Sequence, residues 1–293
     1  MQDYVNRVHS GRVTDQRIRA LAYGGNGRQH DSAEFLNFLL EILDDELNPR
    51  RNLPEPKTDD PRYESQINKR PFNEAADIAW NYLTAREQSP ITKKLKGMIG
   101  HVSICPGCKF ESKTFELFTY LNLTIPDDRR GYTITNIIRE NFGKEETISD
   151  YTCDNCKEKH NIIRKDILCY LPDYLIIELN RYNSSQIKLH NPITFPERGL
   201  ELPATACSPS SSLDNKRRKG PFVYDTYGVT MHVGDSIGKG HYYTVARSLD
   251  KPMVNGSPGK WHEFNDVRVE PREFSATQGR LATILFLKRS GAA

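Results

Sequence analysis

The sequence lacks any long apolar run, and it has no cysteine before Cys105. No stretch approaches the roughly 18 apolar residues that a membrane-spanning helix needs. The first residues, MQDYVNRVHSGR, contain none of the apolar core that a secretory signal peptide requires. The sequence therefore predicts a protein with no membrane partner.

An excess of charge of one sign is also missing. The 293 residues carry 41 Lys and Arg against 38 Asp and Glu, a net charge of +3. This balance argues against a dedicated nucleic-acid-binding protein but is compatible with a local basic patch, and no nucleic-acid partner is expected. Six cysteines without a secretory signal predict a reducing compartment, the cytoplasm or the nucleus, where paired cysteines indicate metal before disulfide.

Helical spacing dominates the first hundred residues, and strand-forming residues dominate the rest. The strongest helix is predicted over Asp31–Leu47, with Asp31 as its N-cap. Weaker helices are predicted at Thr14–Ala22, Asn73–Glu87 and Asn136–Asn141. Strands are predicted at Gly100–Ile104, Lys113–Leu123, Asn161–Leu168, Tyr174–Leu179, Tyr227–His232, His241–Ala246, Trp261–Asn265 and Ala282–Lys288.

Three segments have the composition of exposed loops. Residues 49–71 are rich in Pro, Arg and Asp and predict an exposed connection. Residues 204–220 and 249–259 have no apolar period and predict loops on the surface. The basic run 216–219 is either a targeting or phosphate-binding patch or a solvated loop, and so short a charge run favours the loop.

Four cysteines form two Cys-x-x-Cys knuckles, Cys105-Pro-Gly-Cys108 and Cys153-Asp-Asn-Cys156. Four thiolates at this spacing suit a structural zinc site whose four positions are all closed to substrate. The alternatives are redox pairs or free thiols, but a redox pair usually opens a helix and neither knuckle precedes a convincing one. Cys169 is expected in the core, and Cys207 lies in a Ser-rich loop with nothing nearby to activate it.

A histidine and a polar pair follow at the two ends of a predicted hairpin. His241 precedes a strand-forming run, and Asn265-Asp266 end the next one. A base and its orienting partner need such an arrangement. The alternative is a surface or core histidine beside an ordinary Asn-Asp turn.

Taken in order, these motifs resemble the ubiquitin-specific protease family of deubiquitinases, over residues 24–289. RQHDSAEFLNFLLEILDDEL is similar to the family's Gln-Gln-Asp box, which Gln29, Asp31, Glu34, Phe35 and Leu36 match. LPDYLIIELNRY resembles the strand that follows the second knuckle, with Asn180 where the family favours Lys. GKGHYYTVAR, WHEFNDVRV and ATILFLKR resemble the histidine box and the last strand.

The resemblance implies an α+β fold, a papain-like hand formed by one catalytic domain over 1–293. Its parts would be a helical thumb, shortened at the N-terminus, over 1–96, β fingers over 97–165 and a β palm over 166–293. The four knuckle cysteines would hold zinc. His241 would be the general base and Asn265 its orienting partner, while Asp266 would share that role or stabilise the oxyanion. The implied partners are ubiquitin, ubiquitinated proteins and regulatory complex subunits.

One departure from the family outweighs the others. The nucleophile of the family lies in a Gly-Asn-Thr-Cys-Tyr box well before the Gln-Gln-Asp box, and none of the 28 residues before Gln29 is a cysteine. Three hypotheses follow: a thiol-dependent ubiquitin hydrolase whose N-terminal end lies outside this sequence, a ubiquitin-binding pseudoenzyme, or an unrelated zinc-ribbon module. The chain as printed is expected to be inactive. Gly238 and Gly240 either leave room for ubiquitin's diglycine tail or serve simple turn chemistry.

Overall fold

The computed structural model describes residues 31–208, 218–236, 239–247 and 259–291. The predicted helix Thr14–Ala22, together with Gln29, Gly238 and most of the two later loops, lies outside these ranges. Within them, no helix has the length and apolar character needed to cross a membrane. Helices and mainly antiparallel sheets make up the described chain, so the predicted α+β class is confirmed.

Helix α1, Ser32–Glu46, begins where its sequence predicts. The Asp31 carboxylate accepts hydrogen bonds from the backbone N–H groups of Ala33 and Glu34, at 2.6 and 3.3 Å. These two groups have no partner within the helix, so the cap stabilises its first turn. Leu40 and Ala33 on the inner face pack against strand residues of the largest sheet, which fixes the N-terminus of α1 beside that sheet.

Three further helices precede the strands: α2 Pro61–Asn68, α3 Phe72–Leu83 and α4 Pro90–Leu95. Residues 49–71 are mostly exposed, as predicted, but they contain helix α2, which the sequence analysis does not predict. Only Ile67 of this helix is buried, so it has no apolar period to detect. Asp60 as N-cap and Pro61 in the first turn are the signals that mark its start. A fifth helix, α5 Ile134–Asn141, matches its prediction to within two residues at the start.

Four antiparallel strands form what we call the fingers sheet, in the order β2-β1-β6-β5. They are β1 Gly97–Ile104, β2 Glu111–Phe118, β5 Glu145–Thr152 and β6 Lys159–Tyr170. The sequence does not predict strand β5, because nearly all its residues are exposed and no apolar–polar alternation marks it. Each hairpin of the sheet, β1–β2 and β5–β6, has one Cys-x-x-Cys knuckle at its turn.

The second sheet has eight strands, in the order β13-β12-β11-β10-β14-β7-β3, with β9 also paired to β10. Its strands are β3 Leu121–Thr124, β7 Tyr174–Asn180, β9 Leu200–Glu201, β10 Val223–Ser236, β11 Lys239–Arg247, β12 Trp261–Asn265, β13 Arg268–Arg272 and β14 Ala282–Arg289. The predicted strand Lys113–Leu123 is therefore wrong as one unit, since it divides into β2 and β3. Two short strands, β4 Tyr132–Thr133 and β8 Ile193–Thr194, pair with each other.

The main core lies on one face of the eight-stranded sheet and beneath α5. Fully buried leucines and isoleucines from β3, β7 and β14 meet Ile137 and Ile138 of α5 there. Burial of each such side chain stabilises the fold by about 1.5–3 kcal/mol. Because β10, β11 and β12 extend from this core, the residues at their ends are held on a rigid support.

The prediction that the basic run 216–219 is a solvated loop is wrong for Arg218. Its side chain is 0% exposed and forms an ion pair with Asp77 of α3. It also donates to the backbone oxygen of Asn73 at 2.8 Å and lies 5.3 Å from the centre of the Tyr170 ring. The Tyr170 hydroxyl donates to the same Asp77 carboxylate at 2.6 Å. This basic residue therefore anchors its segment to α3.

Replacing Arg218 with methionine is expected to lower the free energy of unfolding by about 2–4 kcal/mol, because the half-buried Asp77 carboxylate loses its ion pair with a fully buried guanidinium. Urea denaturation followed by circular dichroism measures the change. Lys219→Met is the matched control, because Lys219 is exposed in the same basic run and should change stability by less than about 0.5 kcal/mol. Equal stability of the two variants would contradict the anchoring role.

Candidate active site and metal centre

His241 and Asn265 lie side by side at the exposed end of the eight-stranded sheet. Strand β11 pairs with β12 in a register that sets Thr244 opposite Phe264, so His241 and Asn265 point to the same face. The distance from His241 Nε2 to Asn265 Oδ1 is 2.7 Å. The two residues that the sequence predicts as base and orienting partner are thus in direct contact.

This contact determines which ring nitrogen of His241 acts as the base. The Asn265 carbonyl oxygen only accepts hydrogen bonds, so the neutral imidazole must carry its proton on Nε2. The lone pair is then on Nδ1, the nitrogen that faces away from Asn265. His241 is exposed, so Nδ1 is open to a reacting group. This geometry suits general-base catalysis, which needs an oriented imidazole with an accessible lone pair.

Asp266 occupies the turn between β12 and β13. It is exposed and adopts a positive φ of 53°, a conformation that Asp tolerates better than most residues. Within the described chain, the His241 ring donates its hydrogen bond to Asn265, and no hydrogen bond joins it to Asp266. The geometry therefore favours Asn265 as the orienting residue. A role for Asp266 at the oxyanion stays a prediction.

Gly240 has a structural requirement of its own. Its φ is 158°, and a Cβ atom there would lie 2.2 Å from His232 Nε2 and 2.4 Å from the backbone oxygen of Val233. Any side chain would therefore push β11 away from β10 just before His241. This close approach explains why a glycine is required here, whether or not a ligand binds nearby. Space for a diglycine tail stays a prediction.

A cleft of about 240 Å³ joins the other motifs that the sequence singled out. Asp31 and Glu34 from the start of α1, Asn180 to Tyr182 from the end of β7, and Tyr242 from β11 all line it. Burial raises the pKa of Glu178 in the same cleft to about 7, and the nearby Asp31 and Glu34 carboxylates add to the shift. The cleft is therefore acidic and increases in negative charge as the pH passes neutrality.

The four knuckle cysteines meet where the two fingers hairpins end. Their sulfur atoms all lie within 4.8 Å of one another. Both knuckles have the same backbone: the N–H of Lys109 donates to the Cys105 oxygen at 2.9 Å, and that of Lys157 to the Cys153 oxygen at 2.8 Å. Both lysines have positive φ, 59° and 62°. Two matched turns that present four sulfurs to one point fit a tetrahedral metal ion.

The protonation of the cluster also fits a cation. Hydrogen bonds from the Asn155 side chain and the Phe110 backbone lower the pKa of Cys108 to about 6, toward the thiolate that a metal binds. At Cys156 the Glu158 backbone N–H lowers the pKa, but desolvation and the neighbouring sulfurs outweigh it and raise the value to about 11. Without a cation the four sulfurs cannot all ionise together, and a divalent metal would remove that conflict.

The two remaining cysteines, Cys169 and Cys207, are both buried. Cys169 is 0% and Cys207 8% exposed, and burial raises the pKa of each thiol to about 12. The predicted core position of Cys169 is confirmed. Cys207, expected in a surface loop, instead forms a parallel β-bridge with Leu168. A buried thiol that stays protonated is a poor nucleophile.

Comparison with known proteins identifies relatives over most of the chain. The family model "Ubiquitin carboxyl-terminal hydrolase" matches residues 13–287. Ubiquitin carboxyl-terminal hydrolase 2 of Bos taurus is 30% identical over 267 residues, which cover 88% of this chain and 40% of the relative. Ubiquitin carboxyl-terminal hydrolase 21 of Homo sapiens is 29% identical over 259 residues, 83% of this chain and 43% of the relative. The chain therefore spans about two-fifths of the length of these relatives.

Solved structures share the fold. A yeast SAGA DUB module structure aligns with a TM-score of 0.61 and 20% identity, covering 90% of this chain and 51% of the other. The SAGA DUB module containing Ubp8, bound to monoubiquitin, aligns with a TM-score of 0.56 and 21% identity, covering 76% and 48%. At this level of identity the likeness supports the architecture.

Proposed function

The chain belongs to the ubiquitin carboxyl-terminal hydrolase family, and we propose that it forms part of a thiol-dependent deubiquitinase catalytic domain. The predicted resemblance and the predicted hand fold are thereby confirmed. The observation that supports the proposal best is the hydrogen bond from His241 to Asn265, which prepares a base for a thiol. The proposed substrates are proteins conjugated to ubiquitin.

The proposed reaction follows from the residue types. His241 Nδ1 takes the proton of a cysteine thiol, and the thiolate attacks the carbonyl carbon of ubiquitin's terminal glycine. The imidazolium then protonates the leaving amine, and the acyl group stays on sulfur as a thioester. Water, deprotonated by His241, hydrolyses the thioester and restores the thiol. A neutral Asn265 is adequate because a thiol is more acidic than a hydroxyl and needs less help from its base.

We place the nucleophile outside these 293 residues. Four of the six cysteines form the sulfur cluster, and burial raises the pKa of the other two to about 12. The chain as printed is accordingly proposed to be inactive alone. A second candidate, a ubiquitin-binding pseudoenzyme, is favoured by the same missing cysteine. In it the hydrogen-bonded His241 and Asn265 would have no thiol to activate.

We further propose that the sulfur cluster holds a structural zinc ion. Cys105, Cys108, Cys153 and Cys156 would fill all four tetrahedral positions, so the ion would hold the two hairpins together and take no part in catalysis.

Partner subunits are proposed as well, because similar structures come from the multi-protein SAGA DUB module. The free thiols suit the reducing cytoplasm or nucleus.

Two proteins tested side by side separate these proposals. The first is the chain as printed, and the second is the polypeptide extended by the coding sequence upstream of Met1. Both are incubated with ubiquitin carrying a fluorogenic C-terminal amide, with and without a thiol-alkylating reagent. We expect turnover that alkylation abolishes for the extended protein and none for the printed chain. Thiol-dependent turnover by the printed chain would refute its inactivity. An extended protein that binds ubiquitin but lacks both a cysteine box and turnover would support the pseudoenzyme.

A further inference from the structure

The Asn265 amide has a second partner on the side away from His241. Its Nδ2 group donates to Glu263 Oε1 at 3.2 Å, and Arg272 Nε donates to Glu263 Oε2 at 2.8 Å. Glu263 is two residues before Asn265 on β12, so both side chains point to one face, and the β12–β13 register sets Arg272 opposite Trp261 on that face. A continuous chain of hydrogen bonds thus runs from Arg272 through Glu263 and Asn265 to His241.

This chain removes an ambiguity that an asparagine alone leaves open. The two ends of an amide have nearly the same shape, but one donates and the other accepts. If the amide turned over, Nδ2 would donate to His241 Nε2, and the ring would have to carry its proton on Nδ1. The lone pair would then face Asn265 and could not receive a proton from a thiol. An ionised carboxylate beside the amide only accepts, so it holds Nδ2 on its own side.

Glu263 is well placed to keep its charge. The side chain is only 13% exposed, and burial works to raise its pKa. Hydrogen bonds from Arg272 and Asn265 outweigh burial and hold the pKa of Glu263 below its usual value. Arg272 also offsets Glu270, the like charge directly opposite Glu263 on β13. The carboxylate therefore stays a pure acceptor at neutral pH.

We propose that Glu263, held by Arg272, is a positioning residue that fixes the orientation of the Asn265 amide and thereby the Nε2–H tautomer of His241. The contacts that support it are the 3.2, 2.8 and 2.7 Å hydrogen bonds of the chain. Its consequence for catalysis rests on the proposed function, but its effect on the tautomer does not. Glu263 touches no reacting atom and acts only through Asn265.

Nitrogen-15 NMR of histidine-labelled protein tests the tautomer directly. The spectra are recorded at pH 8, and His241→Gln identifies the His241 signals. We expect the printed chain to show Nδ1 unprotonated and Nε2 protonated. Glu263→Val, which keeps a strand-forming residue but no acceptor, should move the two shifts toward each other. Glu263→Gln should retain the wild-type shifts, because its side-chain oxygen still accepts from Asn265.

Glu270→Gln is the matched control, since it removes a carboxylate from the same face without touching Asn265. If Glu263→Val does not fold, Arg272→Leu is tested in its place. This variant keeps Glu263 and Asn265 and removes only the hydrogen bond from Arg272 to Glu263. Wild-type shifts in whichever of these two variants is folded would overturn the proposal.

Activity of the extended protein gives a second readout. Glu263→Val should lower kcat about two- to tenfold with little change in KM, because only part of the population keeps the competent tautomer. Glu263→Gln should restore most of the rate. If the extended protein has no activity at all, the proposed function fails, and the NMR result still decides the role of Glu263.

Discussion

Replacing Cys153 with serine is expected to abolish zinc binding and to lower the melting temperature by more than about 10 °C. The purified chain should contain one zinc per molecule by mass spectrometry, and the variant should contain none. The effect is large because little else holds the ends of the fingers sheet. Strand β5 is almost entirely exposed, so its hairpin has few core contacts to replace the metal. Structural zinc contributes about 10–16 kcal/mol in small zinc-folded peptides, an upper limit for this sheet.

Amide hydrogen exchange would locate the change within the molecule. We expect the loss of protection to be confined to β1, β2, β5 and β6, while the eight-stranded sheet keeps its protection. Cys207→Ser is the thiol control, because Cys207 is outside the cluster and its loss should leave the metal content at one. Wild-type protein that contains no metal and melts at the same temperature as the Cys153 variant would remove the zinc proposal.

Replacing His241 with glutamine in the extended protein is expected to reduce kcat/KM by about 10³-fold or more, because the thiol then has no base. Hydrolysis of the fluorogenic ubiquitin amide measures the loss. His190→Gln is the matched control, because His190 is half exposed and remote from Asn265 in sequence. A His241→Gln enzyme with wild-type activity would show that another group accepts the proton.

The same assay separates the two candidates for the orienting role. Asn265→Ala should cost about 10- to 100-fold, less than loss of the base, because the imidazole remains but is no longer held. Asp266→Ala should leave the His241 ring in place, since the ring donates its hydrogen bond to Asn265. A larger loss from Asp266→Ala than from Asn265→Ala would assign the orienting role to Asp266.

Local sequence signals predict those helices and strands that have a capping residue or a regular spacing of apolar residues. Helix α1 has both a capping Asp31 and an apolar stripe, and β12 was predicted with its observed bounds, Trp261–Asn265. The same signals do not predict strand β5 and helix α2. Almost all side chains of these two elements are exposed, so neither has a regular spacing of apolar residues. The cysteine knuckles were found because their spacing alone defines a metal site.

Features that depend on contacts between distant segments could not be predicted in this way. Arg218 is in a run of charges that looks solvated, and only the packing of its segment on α3 buries it against Asp77. The link from Glu263 to Arg272 depends on the register between β12 and β13. A shift of that register by one residue would put the two side chains on opposite faces of the sheet. His241 and Asn265 were predicted to meet because their strands are neighbours in sequence as well as in space.

The β3–β7 pair has a consequence for how the chain folds. These strands are parallel, and the hydrogen bond from Asn122 to Glu178 across them joins residues 56 positions apart. The intervening chain contains α5, β5 and β6, including the second cysteine knuckle. Closing so long a loop is slow, because the chain loses conformational entropy before the contact between the strands stabilises it. The edge strand β3 should therefore dock late in folding, after the β5–β6 hairpin has formed and its cysteines can already bind metal.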